Sequence, residues 1–425
     1  MPNLLILSYF FPPSNDIAAR RFGTMAGWLE SLGFNVYILT TFSQGSLPQD
    51  IDEDKVVRVG NNRQKSACVD DLADEKLPPF IDRVRKPLRQ KGFYLWSVDR
   101  TLVTWYREIT ANISFIDSRI EKPDLIIGSF GPSACLWGAR FLAKYYGVPW
   151  IADIRDLGAQ RADDRHKIAR YIDIVIEKRL LYSAVGITTV SNTLKKILVR
   201  CYPLPVQLIY NGWNHALNNI PADTDTFDRA KYIYYAGSFH PEQIPSLLLL
   251  LESLTDFPDL SLVIRSLGPH ELNLEVMECA RELGLDDRVF LLPPCSHEIV
   301  SREARQSRIN LVLNDLSADT EWTRGTVTGK LFELLHYKAP ILAVGRFDGE
   351  MGDILRQTHK GTLCSTRRDI NSFLAAVAKD PSVYSGISLE IREFSREQQA
   401  KQLVSFIRRF IPFSVRLRGI DREAI

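Results

Sequence analysis

A lysine and a glutamate three positions apart, Lys330 and Glu333, carry the clearest chemistry in this sequence. They stand in Gly325-Thr326-Val327-Thr328-Gly329-Lys330-Leu331-Phe332-Glu333-Leu334-Leu335, where small residues lead into an amphipathic stretch that stops before Pro340. That spacing puts both side chains on one side of a helix near its N-terminus. An ammonium added to the positive end of a helix dipole suits a diphosphate, and a carboxylate accepts two hydrogen bonds from a ribose diol. The alternative is a plain intrahelical ion pair. The apolar face that both residues flank, and the glycines beside them, favour a site. A second phosphate-compatible loop, Gly237-Ser238, follows Tyr235-Ala236. Glycine lets backbone N–H groups approach an anion closely there.

The first half offers weaker candidates. In open α/β sheets, ligands gather where strands end, so the loops after strands carry the interest. The loop Tyr9–Asp16, containing Asn15, leads into a helix with Arg20 and Arg21. A helix N-terminus with arginines can hold an anion, or the segment is a rigid Pro-Pro turn with solvated arginines. Asp153-Ile154-Arg155-Asp156 follows the run Val148–Ala152. Its acids can bind hydroxyls or orient a nucleophile, or cap the next helix and pair with Arg155. No G-x-G-x-x-G is present, which weakens any dinucleotide reading. The seven histidines form no metal-binding cluster, and Asp50–Asp54 lacks the glycine and distal glutamate of a calcium loop.

The elements that must hold these residues alternate. Short apolar runs and longer amphipathic stretches succeed one another, the pattern of βαβ units and parallel sheets. Strands are expected at Leu4–Ser8, Asn35–Thr40, Asp124–Gly128, Trp150–Asp153, Gly186–Val190 and Val206–Tyr210, with helices over Ala18–Leu32 and Pro132–Tyr146. A second series is expected at Tyr232–Ala236, Ser261–Arg265, Arg288–Leu292, Ile309–Leu313 and Pro340–Val344. The polar stretch 214–228 separates the two as a linker. The chain thus predicts an N-terminal domain over 1–213, joined by a C-terminal helix within 394–425, and a second domain over 229–393.

A length of 425 residues suits two such domains better than one core. The net charge of +2 gives no electrostatic case for a nucleic-acid partner. Cys68, Cys135, Cys201, Cys279, Cys295 and Cys364 are scattered without a C-x-x-C pair, as in a reduced, cytoplasmic protein. Leu4–Leu7 fits a first strand better than a signal peptide, and no run is long enough to span a membrane. One stretch breaks the alternation. Arg83 to Arg107 interleaves seven cations with Phe93, Tyr94, Trp96, Trp105 and Tyr106. It is either a peripheral contact with an anionic membrane, at the inner face, or an amphipathic helix pair whose aromatics pack on the sheet.

With these residues in view, the chain resembles glycosyltransferase family 4, of GT-B architecture. The matching stretches are LLILSYFFPP with Ala19-Arg20-Arg21, PDLIIGSFGPS, GVPWIADIRD, KRLLYSAVGITTVSNTL, LIYNGW, YIYYAGSFHP, GLDDRVFLLPP, GKLFELLHYKAPILAVG and, as a returning C-terminal helix, FSREQQAKQLVSFI. The resemblance implies an α/β fold of two tandem Rossmann-like doubly wound domains with an interdomain cleft. It implies a nucleotide-sugar donor on the C-terminal domain and a saccharide or lipid-linked acceptor on the N-terminal one. Transfer would proceed with retention, without metal or other cofactor, in glycan or surface polysaccharide biosynthesis. Carried over by position, Glu333 matches the ribose carboxylate, Lys330 a phosphate contact with a catalytic part, and Gly237 and Ser238 the loop beneath the diphosphate. Arg20 joins the donor side and Asp153 the catalytic set, with Asn15, Arg155 and Asp156 on the acceptor side. Gly325 stands where the family often has a glutamate, Asn15-Asp16 where a glycine pair is usual, and Leu136 where some relatives have histidine. Two other functions stay open, a UDP-sugar 2-epimerase of the same architecture and a scaffold that binds nucleotide-sugars without turnover.

Overall fold

The apolar runs are too continuous for half-buried strands, and in the computed structural model they form two fully parallel sheets covered on both faces. The structure describes residues 1–16, 18–60, 87–161, 165–214, 231–238, 240–266, 268, 270–316, 320–346 and 349–411. By internal contacts the chain divides into two units. The first is Met1–Asn211 with the segment that begins at Arg396, and the second is Gly212–Ser395. Apart from Asn214, the linker expected at 214–228 lies outside the described residues.

The first unit runs β1 (Asn3–Leu7), α1 (Ala19–Ser31), β2 (Asn35–Thr40), β3 (Val56–Arg58), α2 (Trp105–Ala111), α3 (Ile113–Arg119), β4 (Leu125–Ser129), α4 (Ala134–Tyr146), β5 (Trp150–Ile154), α5 (Lys167–Leu181), β6 (Gly186–Thr189), α6 (Asn192–Cys201) and β7 (Val206–Leu208). Its strand order is β3-β2-β1-β4-β5-β6-β7. Strand β1 shows why the layers form: side chains alternate across the sheet, so Leu5 and Leu7 enter one core and Leu4 and Ile6 the other. Helix α4 ends at Gly147, which caps it in the left-handed conformation at φ 68°.

The second unit runs β8 (Tyr232–Ala236), α7 (Ile244–Leu254), β9 (Ser261–Arg265), α8 (His270–Glu282), β10 (Val289–Leu292), α9 (His297–Gln306), β11 (Ile309–Leu313), α10 (Glu321–Arg324), α11 (Gly329–Leu335), β12 (Ile341–Val344), α12 (Glu350–Thr358), β13 (Gly361–Cys364), α13 (Arg367–Lys379) and α14 (Ser388–Glu393). Its order, β10-β9-β8-β11-β12-β13, repeats the doubly wound plan. The last helix, α15 (Arg396–Ile407), belongs to the first unit. It buries Ala400, Leu403, Val404, Phe406 and Ile407 in the layer that also holds α1. Arg396 donates to the Arg20 carbonyl (2.7 Å) and Gln399 Oε1 accepts from the Tyr210 amide (2.7 Å).

Every expected strand is present with ends shifted by two residues or fewer. The sequence pattern missed β3 and β13, of three and four residues. Both are sheet edges, where a strand needs only one partner and a short pattern suffices. The basic-aromatic stretch is not one continuous helix. Its residues 83–86 lie outside the described residues; a short helical turn at 87–90 is followed by turns and then α2. Trp105 is buried at 1% exposure, donates Nε1 to the Val59 carbonyl (3.0 Å) and meets Tyr9 edge-on at 5.3 Å. Among the described residues, no helix is long and apolar enough to cross a membrane. If Trp105 packs as a core residue, Trp105→Ala lowers the unfolding free energy by about 3–5 kcal/mol. Urea denaturation checks this, and a loss within experimental error contradicts the packing.

Candidate functional site

Three apolar side chains decide where the charged pair stands. On α11, Leu331, Phe332 and Leu335 are buried. Each burial is worth about 1.5–3 kcal/mol, so the helix cannot rotate without losing them. Lys330 and Glu333 are left on the flanks, half-buried. Phe332 rests against Phe394 at 5.9 Å between ring centroids. His336, at the C-terminal cap of α11, stacks on Trp213 at 4.8 Å. Trp213 in turn donates Nε1 to the Ile391 carbonyl (2.9 Å) and its amide to the Phe394 carbonyl (3.1 Å). The first and last segments of the second unit thus hold α11 from two sides.

Strand β8 supplies the other wall. The strand order reverses between β8 and β11, the position at which doubly wound sheets take ligands. Gly237 and Ser238 leave the end of β8 at that point. The Tyr235 hydroxyl donates to the Ser238 carbonyl (2.8 Å), and Lys330 Nζ donates to the same hydroxyl (3.0 Å). The ammonium also lies 4.3 Å from the Tyr235 ring centroid, within cation–π range. Gly237 has φ 138°, and a Cβ built on it would fall 2.0 Å from Lys330 Nζ. Glycine alone meets both conditions. Burial pulls Lys330 down to about 8, against the opposing pull of the Glu333 charge. Burial pushes the Tyr235 phenol up, so it stays protonated and able to donate.

Glu333 has a partner that the sequence did not suggest. Its Oε2 lies 3.7 Å from Nε2 of His297, the first residue of α9, a contact that carries two charges only when the imidazole is protonated. Gly237, Ser238, Lys330 and Glu333 therefore belong to one unit and one group of elements, although Lys330 and Tyr235 are 95 positions apart. Sequence reading missed Tyr235, His297 and Trp213. The only available signal was that Tyr235 lies two residues before the glycine.

The first-unit candidates behave differently. Asp153 is fully buried, and its carboxylate has four hydrogen-bond donors. Oδ1 accepts from Arg21 Nη2 (2.8 Å) and Thr188 Oγ1 (2.8 Å), and Oδ2 from Arg21 Nε (3.1 Å) and Ser129 Oγ (2.9 Å). A carboxylate offers about four acceptor positions, so none remains to take a proton or a substrate hydroxyl. Burial pushes its pKa up, but the Arg21 charge and hydrogen bonds, with Arg155 beyond, outweigh this and hold it below the usual carboxylate range. The catalytic part expected of Asp153 is thus corrected to a positioning one: it ties α1 to β4, β5 and β6. Arg21 also donates to the Ile209 carbonyl (3.1 Å) and Asn211 Oδ1 (3.2 Å).

Arg155 spends its donors on backbone, reaching the carbonyls of Phe130 (3.1 Å), Gly131 (3.2 Å) and Ala18 (3.3 Å). Asn15 Oδ1 accepts from the Ser46 amide (3.1 Å) and so joins two loops. Asp156 is exposed, and Arg20 stands half-buried on α1. Leu136 is 2% exposed in the core beside α2. Among the described residues, no group of histidine, cysteine and acidic side chains is arranged to hold a metal ion. Arg21→Met leaves the Asp153 charge buried without its cation, so the first unit should lose about 3–5 kcal/mol of stability. Guanidinium titration checks it, and an unchanged midpoint overturns the ion-pair account.

Comparison with known proteins adds a family match over part of the chain. The model described as Glycosyltransferase Family 4 matches residues 18–217. No curated protein matches the chain in sequence. Among solved structures, sucrose-phosphate synthase from Thermosynechococcus elongatus is similar at TM-score 0.63 and 14% identity, over 96% of this chain and 99% of that one. A glycosyltransferase from Rickettsia africae is similar at TM-score 0.63 and 12% identity, over 97% of this chain and 99% of that one. HepE of Anabaena, solved with UDP and glucose, is similar at TM-score 0.60 and 10% identity, over 96% of this chain and 100% of that one. Residues 18–217 therefore match the glycosyltransferase family 4 model, and the fold as a whole is of the GT-B type seen in these solved structures.

Proposed function

We propose that the protein is a glycosyltransferase that takes a hexose-type unit from a nucleoside-diphosphate-sugar held by its second unit. The observation that carries this reading is the cluster of Lys330, Tyr235 and Gly237-Ser238 at the reversal point of the second sheet, with Glu333 one turn further along α11. A fixed cation beside an open backbone loop suits a diphosphate, and a carboxylate at that distance suits the ribose diol. That HepE was solved with UDP and glucose makes UDP-glucose the first donor to test. The acceptor, a saccharide or lipid-linked saccharide, is assigned to the first unit, with Asn15, Arg155 and Asp156 on its side and Arg20 toward the donor. The setting we infer is glycan or surface polysaccharide synthesis in the cytoplasm.

In the reaction we propose, the bond from the anomeric carbon to the diphosphate oxygen breaks as the acceptor oxygen bonds to the same face. The configuration is retained, and the acceptor proton passes to the departing phosphate. The developing charge on the leaving group is met by the Lys330 ammonium and the backbone N–H groups of the Gly237-Ser238 loop, so the reading requires no metal ion. Release of nucleoside diphosphate from a panel of UDP-, GDP- and ADP-sugars, with and without saccharide acceptors, tests it. Acceptor-dependent release supports transfer. Interconversion of free UDP-sugar, or binding without turnover on the whole panel, overturns it.

Two further outcomes are expected at this site. Glu333→Ala weakens nucleotide binding by about 1.5–3 kcal/mol, because the diol loses a charged acceptor. Gly237→Ala should weaken it comparably by driving Lys330 off Tyr235. Calorimetric titration of nucleoside diphosphate measures both, and wild-type affinity in the glutamate variant removes this site assignment. The pH dependence follows from Lys330. Burial lowers the empty-site lysine to about 8, and an arriving diphosphate favours its charged form, so binding takes up a proton above that pH. Affinity should therefore fall as pH rises through about 8, approaching about tenfold per pH unit. Lys330→Met should remove that slope; a slope kept in this variant assigns the proton elsewhere.

A further inference from the structure

Helix α5 buries two acids beside Ala169, Leu180 and Leu181 and leaves several large apolar side chains exposed. Its acids Asp173 and Glu177 are buried, while Ile168, Tyr171, Ile172, Val175 and the terminal Tyr182 are 59%, 68%, 44%, 37% and 88% exposed. Spacings of three and four residues line these apolar side chains along one outer face. The inward face explains why the helix keeps this orientation. Asp173 accepts from the amides of Trp96 (2.9 Å) and Ser97 (2.9 Å) and pairs with buried Arg165. Glu177 accepts from the Ala159 amide (2.8 Å) and from the Tyr202 hydroxyl. Rotating the helix to bury the apolar stripe would strand Arg165 and these donors in the interior, which costs more than the stripe would gain.

The exposed charges of α5 itself have one sign. Lys167, Lys178 and Arg179 are exposed beside the stripe, and from 166 to 183 the only acids are the buried Asp173 and Glu177. The segment 87–93 adjoins this face. The Phe93 ring stacks on His166 at 4.1 Å, and the His166 amide donates to the Gly92 carbonyl (3.0 Å). That segment adds exposed Leu88, Arg89 and Lys91 and contains no acid.

We propose that this face docks the protein on a bilayer surface bearing anionic phospholipids. The stripe enters the boundary between headgroups and acyl chains, and the lysines and arginines meet lipid phosphates. Charge decides for this occupant. A second copy of the chain meeting the same face about a two-fold axis would set Lys167, Lys178 and Arg179 against their own equivalents. The site lies on α5; among the described residues of the stretch 83–107, Leu88–Phe93 takes part, since Trp105 faces the core and Trp96 is bound to α5 through its amide.

Co-sedimentation of the full chain with vesicles tests the proposal, using phosphatidylcholine alone and phosphatidylcholine with about one third phosphatidylglycerol, at low and high salt. The chain should sediment with the anionic vesicles only, and less at high salt. Tyr171→Glu with Ile172→Glu should lower the affinity at least about tenfold, as should Lys178→Glu with Arg179→Glu. Leu274→Glu, exposed on α8 of the second unit, should leave it unchanged. An unaltered thermal midpoint establishes that each variant is folded, and Ile168→Ser with Tyr182→Ser replaces any that is not. The proposal is overturned by no sedimentation with anionic vesicles at low salt, or by full binding in the Tyr171/Ile172 variant. A dimer in light scattering that this variant dissolves also overturns it, since a second copy then covers the face.

Discussion

The ammonium of Lys330 occupies the space that any side chain at position 237 would need. Most of the second unit's architecture serves that coincidence. Helix α11 delivers the lysine because three apolar side chains hold its inner face, and the aromatic contacts of Phe332 and His336 stop it from sliding. Strand β8 delivers the glycine at the point where the sheet reverses order. Tyr235 joins the two, taking a hydrogen bond from the ammonium and giving one to the Ser238 carbonyl. A lysine half-withdrawn from water is only partly compensated by the Tyr235 ring and phenol and the Glu333 charge. Its lowered pKa expresses that shortfall, which a bound anion would relieve.

In the first unit, carboxylates do structural work that their residue type conceals. Asp153 has all its acceptor positions occupied, and Asp173 and Glu177 face inward from α5 toward backbone amides, Arg165 and Tyr202. Carboxyl groups tolerate such burial only when their oxygens find hydrogen-bond partners. Here Asp153 draws its donors from α1, β4 and β6, whereas Asp173 and Glu177 draw most of theirs from loops. The consequence appears on the surface: with Asp173 and Glu177 taking part of the inner face of α5, Ile168, Tyr171, Ile172 and Val175 stand outward.

The chain's own patterning was enough for the scaffold. Eleven strand positions follow from runs such as Leu4–Leu7 and Ile309–Leu313, because a parallel sheet buried on both faces demands unbroken apolar stretches. The spacing of Lys330 and Glu333 gave their common side of α11 by helical geometry, and the small residues before them marked its start. The short edge strands β3 and β13 escaped because an edge needs little sequence to form.

What local pattern could not supply was each polar side chain's partner. An aspartate at a strand end reads identically whether it awaits a substrate or accepts from Arg21, Ser129 and Thr188, since those donors come from α1, β4 and β6. Nor does helical periodicity say which face of α5 turns inward when both a carboxylate face and an apolar face exist. Periodicity is a property of neighbours in the chain, whereas hydrogen-bond satisfaction depends on residues that only folding brings together. The sequence therefore determined the two doubly wound sheets and the side of α11 on which the charges lie, and tertiary structure decided which partner each charge meets.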